Sequence, residues 1–385
     1  MSSQRYWVWL ATLGGVGTVT TATLIDHFGS PDKVFEAGAN EYRDVEGVSA
    51  TDITRLMNKN LDIADTALSS CNKIGCRVMT LHDADYPERL RNIYNPPIVL
   101  YIKGDLPHID EEPVVAIAGT RRCTPYGVSV ADKIGCRLAQ CGLTVVTGLA
   151  KGVDSAATRG ALRSGNCMRR VVGVVGSGLD IVYPKENKAL FDDVIRNGAI
   201  ISEYAPGTPP LPWHFPARNR ILSGLSLGVA IIEAPKRSGA LITASRALEQ
   251  GRDVFSLPGN VDARNNEGSN ALLRDGAIPI MSGDDIISEY AELYPDKIDT
   301  KIVGTCPKKW VDNKPSVEYI DLATITDAQG GDERVVVKTI GADTLATDDI
   351  IIIAGLSAPR VLSALTILEI NGSAVRDMSG KWKLR

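Results

Sequence analysis

The sequence predicts an α/β protein built on an extended Rossmann-like core, a parallel or mixed sheet with helices on both faces. Between about positions 114 and 280, short apolar segments of strand type alternate with helical patterns of 10 to 15 residues, which is typical of repeated βαβ units. Several of these segments end in glycine-rich turns that open the next helix. Hydrophobic residues make up 44% of the chain but aromatic residues only 5%, which suits a core rich in alanine, valine and glycine.

The chain of 385 residues is long for a single domain, so two or three domains are expected. Changes of pattern divide it into a helical N-terminal domain of helix-hairpin-helix or SAM-like type, the sheet core, an acidic linker and a C-terminal winged-helix-like domain. The predicted ranges are 1–75, 76–292, 293–344 and 345–385.

Helical patterns run through the first 70 or so residues. The turn Gly14-Gly15-Val16-Gly17 separates two of them, and a similar turn at 45–49 precedes the next. Helix, glycine turn and helix form the outline of a helix-hairpin-helix, in which backbone N–H groups at the turn can face a DNA phosphate. A small helical packing module without a DNA contact fits the pattern equally well.

Apolar runs bounded by turn residues predict eight strands in the core. In a parallel sheet the turns that follow the strands meet at the carboxyl edge, where such sheets bind ligands. The predicted strands are 98–102, 114–119, 143–147, 170–175, 199–202, 227–232, 254–256 and 277–280.

The C-terminal part has a looser pattern up to about residue 340, with one short strand predicted at 335–337. Two helices are then predicted, the second from about 357 to 370, followed by a two-stranded wing. This outline is that of a winged helix, which binds DNA in some proteins and docks proteins in others. Because few basic residues precede Lys381, we favour docking.

Charge is distributed unevenly along the chain. A net charge of −4 argues mildly against a nucleic-acid binder if the charges are spread evenly. The segment from Asp284 to Asp343, however, contains 13 acidic and 7 basic residues. The rest of the chain therefore has a small positive excess, which allows a local basic groove.

Cysteine usage and hydropathy exclude several classes of protein. The seven cysteines form no CxxC pair and no zinc-type Cys/His spacing, so no metal or other cofactor is expected. Their odd number and the lack of a signal peptide predict a reducing, cytoplasmic location. The longest apolar runs of about eight residues are far shorter than the roughly 20 that span a bilayer, so no membrane insertion is expected.

Two strand-to-helix turns have the chemistry of an anion site. A glycine lets the backbone approach a ligand closely, and a helix N-terminus attracts negative charge. An adjacent arginine can donate two hydrogen bonds to one phosphate. The residues concerned are Gly119, Thr120 and Arg121 in the first turn and Ser238, Gly239 and Thr243 in the second. Repeated turns of this kind along one edge favour a polymer of phosphates over a single nucleotide.

Arg218-Asn219-Arg220 is the strongest basic cluster in the chain. Two guanidiniums around an amide, with Phe215 just ahead, offer phosphate contacts and an aromatic face on which a base can stack. The alternative for one of the arginines, Arg220 in particular, is a structural ion pair. Its candidate partners are Glu203 and Glu233.

Catalytic motifs are missing from the sequence, which has no Walker A motif, no nucleophile elbow and no HExxH. His214 is the one histidine near the basic cluster, and no serine or cysteine accompanies it in a triad-like context. Asp154 ends the run GLAKGVD and is a candidate general base, but fixing the turn is the better explanation. The sequence therefore predicts a binding protein that is not an enzyme.

Several long motifs resemble the DNA-processing protein A (DprA/Smf) family. In chain order they are GTRRCTPYG, GLAKGVDSAA, GSGLDIVYPKEN, ISEYAPG, FPARNRILSGLS, SGALITASRALEQGRDVFSLPG and GSNALLRDGA. The resemblance covers about residues 78 to 290 with high specificity and extends more loosely to both ends of the chain.

This resemblance implies an extended Rossmann core that binds and shields single-stranded DNA and loads the RecA recombinase onto it, which in competent bacteria serves natural transformation. It also implies a homodimer formed through the Rossmann domain, with the helix through Leu248 and the run GSNALLRDGA on the side that faces the second copy and RecA. Carried over by motif, the DNA-binding residues are Gly119, Thr120, Arg121, Lys185, Phe215, Arg218, Asn219, Arg220, Ser238, Gly239 and Thr243. Some relatives have a lysine where this chain has Pro212-Trp213, so here stacking on Trp213 is a substitute for one phosphate contact.

Two other functions compete with this one. A nucleotide hydrolase of the lysine-decarboxylase-like (LOG) type has a related fold, but the acid expected three residues after Thr243 is Arg246, which removes the plausible general base. A winged-helix regulator that binds duplex DNA is the third possibility, and the acidic linker and weakly basic tail argue against it.

Overall fold

The structure is a computed structural model that describes residues 2–164, 171–302, 331–341, 345–371, 373–376 and 381–384. The chain divides into two compact units, Met1–Trp310 and Val311–Arg385, and each is described by itself. Most of the predicted acidic linker lies outside the described residues.

The first unit begins with six helices, in a segment that the sequence predicted to be helical without giving their number. They bury an aromatic core that includes Trp7, Trp9 and Tyr42, and the ammonium of Lys59 lies 4.9 Å from the centroid of the Tyr42 ring. The Nε2 atom of Gln4 donates to the carbonyl of Val78 at 3.1 Å, which ties the first helix to the sheet. The helices are α1 Ser2–Thr12, α2 Thr18–Phe28, α3 Pro31–Glu36, α4 Ala39–Arg43, α5 Ala50–Leu56 and α6 Asp62–Ile74.

One nine-stranded sheet forms the centre of the first unit. The eight strands predicted from the sequence are all present, which confirms the predicted fold class, and one further strand, β1, precedes them. The strands are β1 Arg77–Thr80, β2 Val99–Gly104, β3 Val114–Ala118, β4 Thr144–Thr147, β5 Val171–Val175, β6 Gly198–Ser202, β7 Gly228–Ile231, β8 Asp253–Ser256 and β9 Ile278–Pro279.

The strand order is β1-β2-β6-β5-β4-β3-β7-β8-β9. From β6 to β9 the strands are parallel, whereas β1 and β2 extend the sheet in antiparallel fashion, so the sheet is mixed. The chain builds outward from β3 through β4 and β5 to β6 and then returns to place β7 on the other side of β3. The carboxyl ends of β3 and β7 therefore form a topological switch point, where open α/β sheets bind ligands.

Helices cover both faces of this sheet. Alternate strand residues divide between the two hydrophobic cores: Val115 and Ile117 face one, Val114 and Ala116 the other. No described helix is both long enough and apolar enough to cross a bilayer. The helices are α7 Glu88–Arg91, α8 Pro125–Gln140, α9 Val153–Leu162, α10 Lys188–Asn197, α11 His214–Leu225, α12 Gly239–Glu249, α13 Glu267–Arg274 and α14 Gly283–Tyr290.

Two glycines let α8 and α9 pack with their backbones in contact. A Cβ atom on Gly135 would overlap the carbonyl oxygen of Ala157, and one on Gly160 would overlap that of Asp132. Helix α8 follows the turn that carries Gly119, Thr120 and Arg121, and α9 follows the turn after β4, so this contact holds the two turns in a fixed relation.

The variant Gly160→Ala is therefore expected to lower the free energy of unfolding. An added methyl group in a close contact costs about 1–3 kcal/mol, which exceeds the gain of about 1 kcal/mol from helix propensity. Urea unfolding measures the change. Gly239→Ala is the matched control, because no atom lies within 4 Å of its added Cβ, and a loss of the same size in the control would contradict this account.

The described residues of the second unit form three helices and a two-stranded antiparallel sheet, the elements of a winged helix. The strand predicted at 335–337 was wrong, since these residues belong to a helix. Val336, Val337 and Ile340 have helical spacing and are buried in the core of this unit, and that burial outweighs the strand preference of the valines. The elements are α15 Gly331–Ile340, α16 Thr347–Ala354, α17 Ala358–Ile370, β10 Ala374–Arg376 and β11 Trp382–Leu384.

Candidate functional site

A cavity of about 620 Å³ opens at the carboxyl ends of β3 and β7. We call it the main cavity. Its lining includes Arg121, Arg122, Arg218 and Arg237 but a single carboxylate, Asp154. Nine of the eleven predicted site residues line it: Gly119, Thr120, Arg121, Phe215, Arg218, Asn219, Ser238, Gly239 and Thr243.

The turn after β3 is fixed by backbone contacts. The N–H of Thr120 donates to the carbonyl of Glu233 at 2.7 Å, and the hydroxyl of Thr120 accepts from the N–H of Arg122 at 3.2 Å. A Cβ on Gly119 would overlap the side chain of Val153, so only glycine allows α9 to approach this closely. The turn therefore presents the exposed Arg121 from a rigid base.

Aromatic rings line the side of the cavity from which Arg121 projects. The guanidinium carbon of Arg121 lies 4.9 Å from the centroid of the Phe215 ring, and that ring lies 5.4 Å from the ring of Tyr183. Tyr183 is 40% exposed, whereas the exposed Trp213 does not line the main cavity. The cation of Arg121 suits a phosphate, and the neighbouring rings of Phe215 and Tyr183 suit its base.

Beneath the turn after β4 lies a pair of buried opposite charges. Asp154 accepts hydrogen bonds from the N–H groups of Gly148 at 3.1 Å and Ala150 at 3.4 Å, which confirms that it fixes the turn. Arg218 is only 4% exposed, and its Nη1 atom donates to the carbonyl of Val174.

Burial sets the protonation behaviour of this pair. Burial raises the pKa of Asp154, while the cation of Arg218 opposes that shift. Burial also lowers the pKa of Arg218 to about 10, so the guanidinium stays charged at neutral pH. Arg218 thus contributes a positive charge at the lining of the main cavity, next to the single carboxylate of Asp154.

Arg218 and Arg220 do not form the paired phosphate clamp that the sequence predicted. Arg220 points away from the main cavity and donates from Nη2 to Oε1 of Glu203 at 2.5 Å, which is the structural ion pair considered as its alternative. Asn219 lies between them and donates from Nδ2 to the carbonyl of Gly239 at 3.2 Å. This cluster therefore joins α11 to the start of α12.

Helix α12 begins at the cavity wall. The hydroxyl of Ser238 caps it by accepting from the N–H of Ala240 at 3.2 Å, and the space beside Gly239 is open. The buried Thr243 also lines the cavity. This arrangement provides a helix N-terminus for an anion, and the neighbouring exposed Arg237 adds a positive charge.

Lys185 is the second predicted residue outside the main cavity. It is exposed and follows Pro184, which lines a small adjoining cavity together with Arg121, Tyr183 and Phe215. Lys185 itself lines neither cavity, and it adjoins the rings of Tyr183 and Phe215 only through its neighbour Pro184.

Sequence reasoning omitted Tyr183, Arg237 and Asn265 from the site. Arg237 could have been predicted as a site residue, because it lies directly before the predicted turn at Ser238. The indication for Tyr183 was weaker, because only its position two residues before Lys185 links it to the predicted site. Nothing in the sequence brings Asn265 to the site.

The surroundings of His214 and Arg246 test the two catalytic functions that the sequence analysis considered, a triad-type site and a nucleotide hydrolase. His214 stacks on Tyr204 with ring centroids 3.9 Å apart, and its Nδ1 atom lies 3.1 Å from the carbonyl of Gly176. Both contacts hold the segment that leads into α11. Arg246 pairs with Glu249 at 2.6 Å and does not line the main cavity, so the position expected to carry an acid in a nucleotide hydrolase carries a surface cation.

Comparison with known proteins gives consistent matches. The family model "DNA recombination-mediator protein A" matches residues 77–291, and the DprA winged helix domain matches residues 323–380. The chain is 31% identical to Protein Smf of a Synechocystis strain, over 100% of this chain and 99% of that protein.

Two solved structures are also similar. DNA processing protein A from Streptococcus pneumoniae is 34% identical with a TM-score of 0.64, over 74% of this chain and 97% of that one. The protein of the same name from Helicobacter pylori, described for its single-stranded DNA binding mode, is 32% identical with a TM-score of 0.51, over 57% of this chain and 97% of that one.

Proposed function

Because the chain belongs to the DNA recombination-mediator protein A (DprA/Smf) family, we propose that it binds single-stranded DNA in the main cavity and delivers the strand to the RecA recombinase. One observation carries the proposal, namely the cluster of Arg121, Phe215 and Tyr183 beside the N-terminus of α12. Phosphates and unstacked bases are the chemistry that this cluster recognises. In an organism that takes up DNA, this activity would serve natural transformation.

The proposed binding residues fall into two groups. Arg121, Lys185 and the first turn of α12 contact phosphates, while Phe215 and Tyr183 stack with bases. Arg218, Asn219 and Arg220 act indirectly, since their side chains are engaged in contacts within the protein. We infer no catalytic step, because the side chains of Asp154 and His214 both serve to hold turns.

Equilibrium binding and filament assembly test the proposal together. Single-stranded oligothymidine is expected to bind with micromolar or tighter affinity and with a clear dependence on salt, and duplex DNA of equal length more weakly. RecA is expected to assemble faster on strands that carry the protein. Equal affinity for both forms of DNA, or no acceleration of RecA, would contradict the respective part of the proposal.

A homodimer through the first unit is also proposed. The resemblance to the family assigns the helix through Leu248 to the dimer surface, and Leu248 is a large apolar residue that is 62% exposed. The variant Leu248→Asp is expected to shift the sedimentation of the protein from dimer to monomer, because an aspartate would be buried without a partner. If the variant sediments as the wild type does, this helix is not the dimer surface.

The winged helix is proposed as a docking module. Its helix α17 exposes Leu362 and Ile367, and the exposed Arg360 is held by Asp332 through its Nε atom at 2.6 Å. A helix with this surface lacks the arrangement of cations that duplex DNA requires.

A further inference from the structure

A second cavity of about 610 Å³ lies at the same sheet edge, beside the main cavity. Three chain segments contribute neighbouring residues to both cavities, and Nδ2 of Asn265 donates to the carbonyl of Arg122 at 3.0 Å between them. The second cavity is lined by Thr124, Tyr126, Glu233, Pro258, Gly259, Asn260, Ala263 and Asn266.

The charge of the second cavity differs in sign from that of the main cavity. Its lining contains one ionisable acid, Glu233, and no lysine or arginine. The carboxylate is fixed by two hydrogen bonds from Thr124, from the N–H at 2.9 Å and from the hydroxyl at 2.5 Å. Glu233 is only 1% exposed, so it acts on the cavity through its fixed negative charge, which disfavours a phosphate and favours the N–H groups of a nucleobase.

Tyr126 supplies an aromatic surface at this cavity. It occupies the first turn of α8, a helix anchored by Thr124, whose hydroxyl accepts from the N–H of Gly127 at 3.1 Å. Its side chain is 55% exposed although it is large and apolar. The amides of Asn260 and Asn266 add groups that can both donate and accept. Stacking surface, amides and a carboxylate are the recognition chemistry of a base edge.

We propose that the second cavity binds a nucleobase of the same DNA strand whose phosphates are held in the main cavity. This inference rests on the proposed function, since the strand must first occupy the main cavity. The strand then passes over the Arg122–Asn265 contact, and one base turns toward Tyr126 and Glu233. The site thereby extends the bound length of the strand.

Binding of oligothymidines of two lengths tests this inference. With a strand of about 16 nucleotides, Tyr126→Ala is expected to weaken binding about tenfold, because base–aromatic stacking is lost. With a strand of about 4 nucleotides, which the main cavity can hold alone, the variant is expected to bind as the wild type does. Tyr126→Phe keeps the ring and is expected to restore the affinity for the long strand.

Two controls separate the possible outcomes. Tyr94→Ala removes a tyrosine that is 83% exposed elsewhere in the fold and is expected to change neither affinity. Arg121→Ala should weaken binding of both lengths. If Arg121→Ala weakens binding and Tyr126→Ala does not, the base site is refuted and the proposed function stands. If neither variant weakens binding, both proposals fail.

Discussion

Replacing Arg121 with alanine is expected to weaken the binding of single-stranded DNA about 30-fold or more. A hydrogen bond to a charged group contributes about 1.5–3 kcal/mol. The contact with Phe215 orients the guanidinium but adds nothing to this figure, because it is already present without DNA. The exposed guanidinium projects from the rigid turn after β3, and the effect of its loss is expected to be largest at low salt, where a phosphate contact contributes most. Fluorescence anisotropy of a labelled oligothymidine measures the change.

The salt dependence of DNA binding by Arg121→Ala shows whether Arg121 contacts a phosphate. Each phosphate contact with single-stranded DNA contributes a slope of about −0.7 in a plot of log K against log salt, so Arg121→Ala should reduce the slope by about that amount. Arg246→Ala is the matched control, because Arg246 lies on α12 but outside the main cavity. An unchanged slope for Arg121→Ala, or an equal change for the control, would refute the phosphate contact.

Replacing Arg218 with alanine is expected to destabilise the fold by about 3–5 kcal/mol. Removing one partner of a buried pair of opposite charges leaves the other charge buried without its counter-charge, here the carboxylate of Asp154, which keeps only its two backbone N–H donors. The carbonyl of Val174 also loses its donor. Urea unfolding measures the free energy, and DNA affinity should fall as well because the turn after β4 loses its support.

A double variant distinguishes support from direct contact. Arg218→Met combined with Asp154→Asn removes both charges, and it is expected to recover much of the lost stability. If Arg218→Ala keeps the stability of the wild type and loses only DNA affinity, then Arg218 contacts the strand directly and our assignment is wrong.

The core of the fold was predictable because its signals are local. Apolar runs bounded by turn residues specified all eight strands that the sequence predicted. Seven of them, β3 to β9, are parallel, so the turns that follow these strands meet at one edge of the sheet. The strand β1 was missed because its four residues, Arg77–Thr80, begin and end with polar side chains and therefore do not form an apolar run. The helix α15 was mistaken for a strand because three consecutive valines favour strands locally, whereas packing in the second unit decides the outcome.

The site was predictable in its turns but not in the orientation of its arginines. Residues two apart on a helix do not face the same way, so Arg218 and Arg220 could not both face one groove once the segment was helical. The sequence did not indicate which of the two arginines, Arg218 or Arg220, would be buried. Tyr183 and Phe215 are 32 positions apart in the sequence, and only the sheet brings their rings together.

Photo-crosslinking is the most direct test of where the strand lies. An oligonucleotide that contains a halogenated deoxyuridine is irradiated in complex with the full chain, and the modified peptides are identified by mass spectrometry. We predict adducts on the peptides that contain Phe215 and Tyr183, and their loss in Arg121→Ala. Adducts confined to the N-terminal helices or to the winged helix would contradict the claim that the main cavity holds single-stranded DNA.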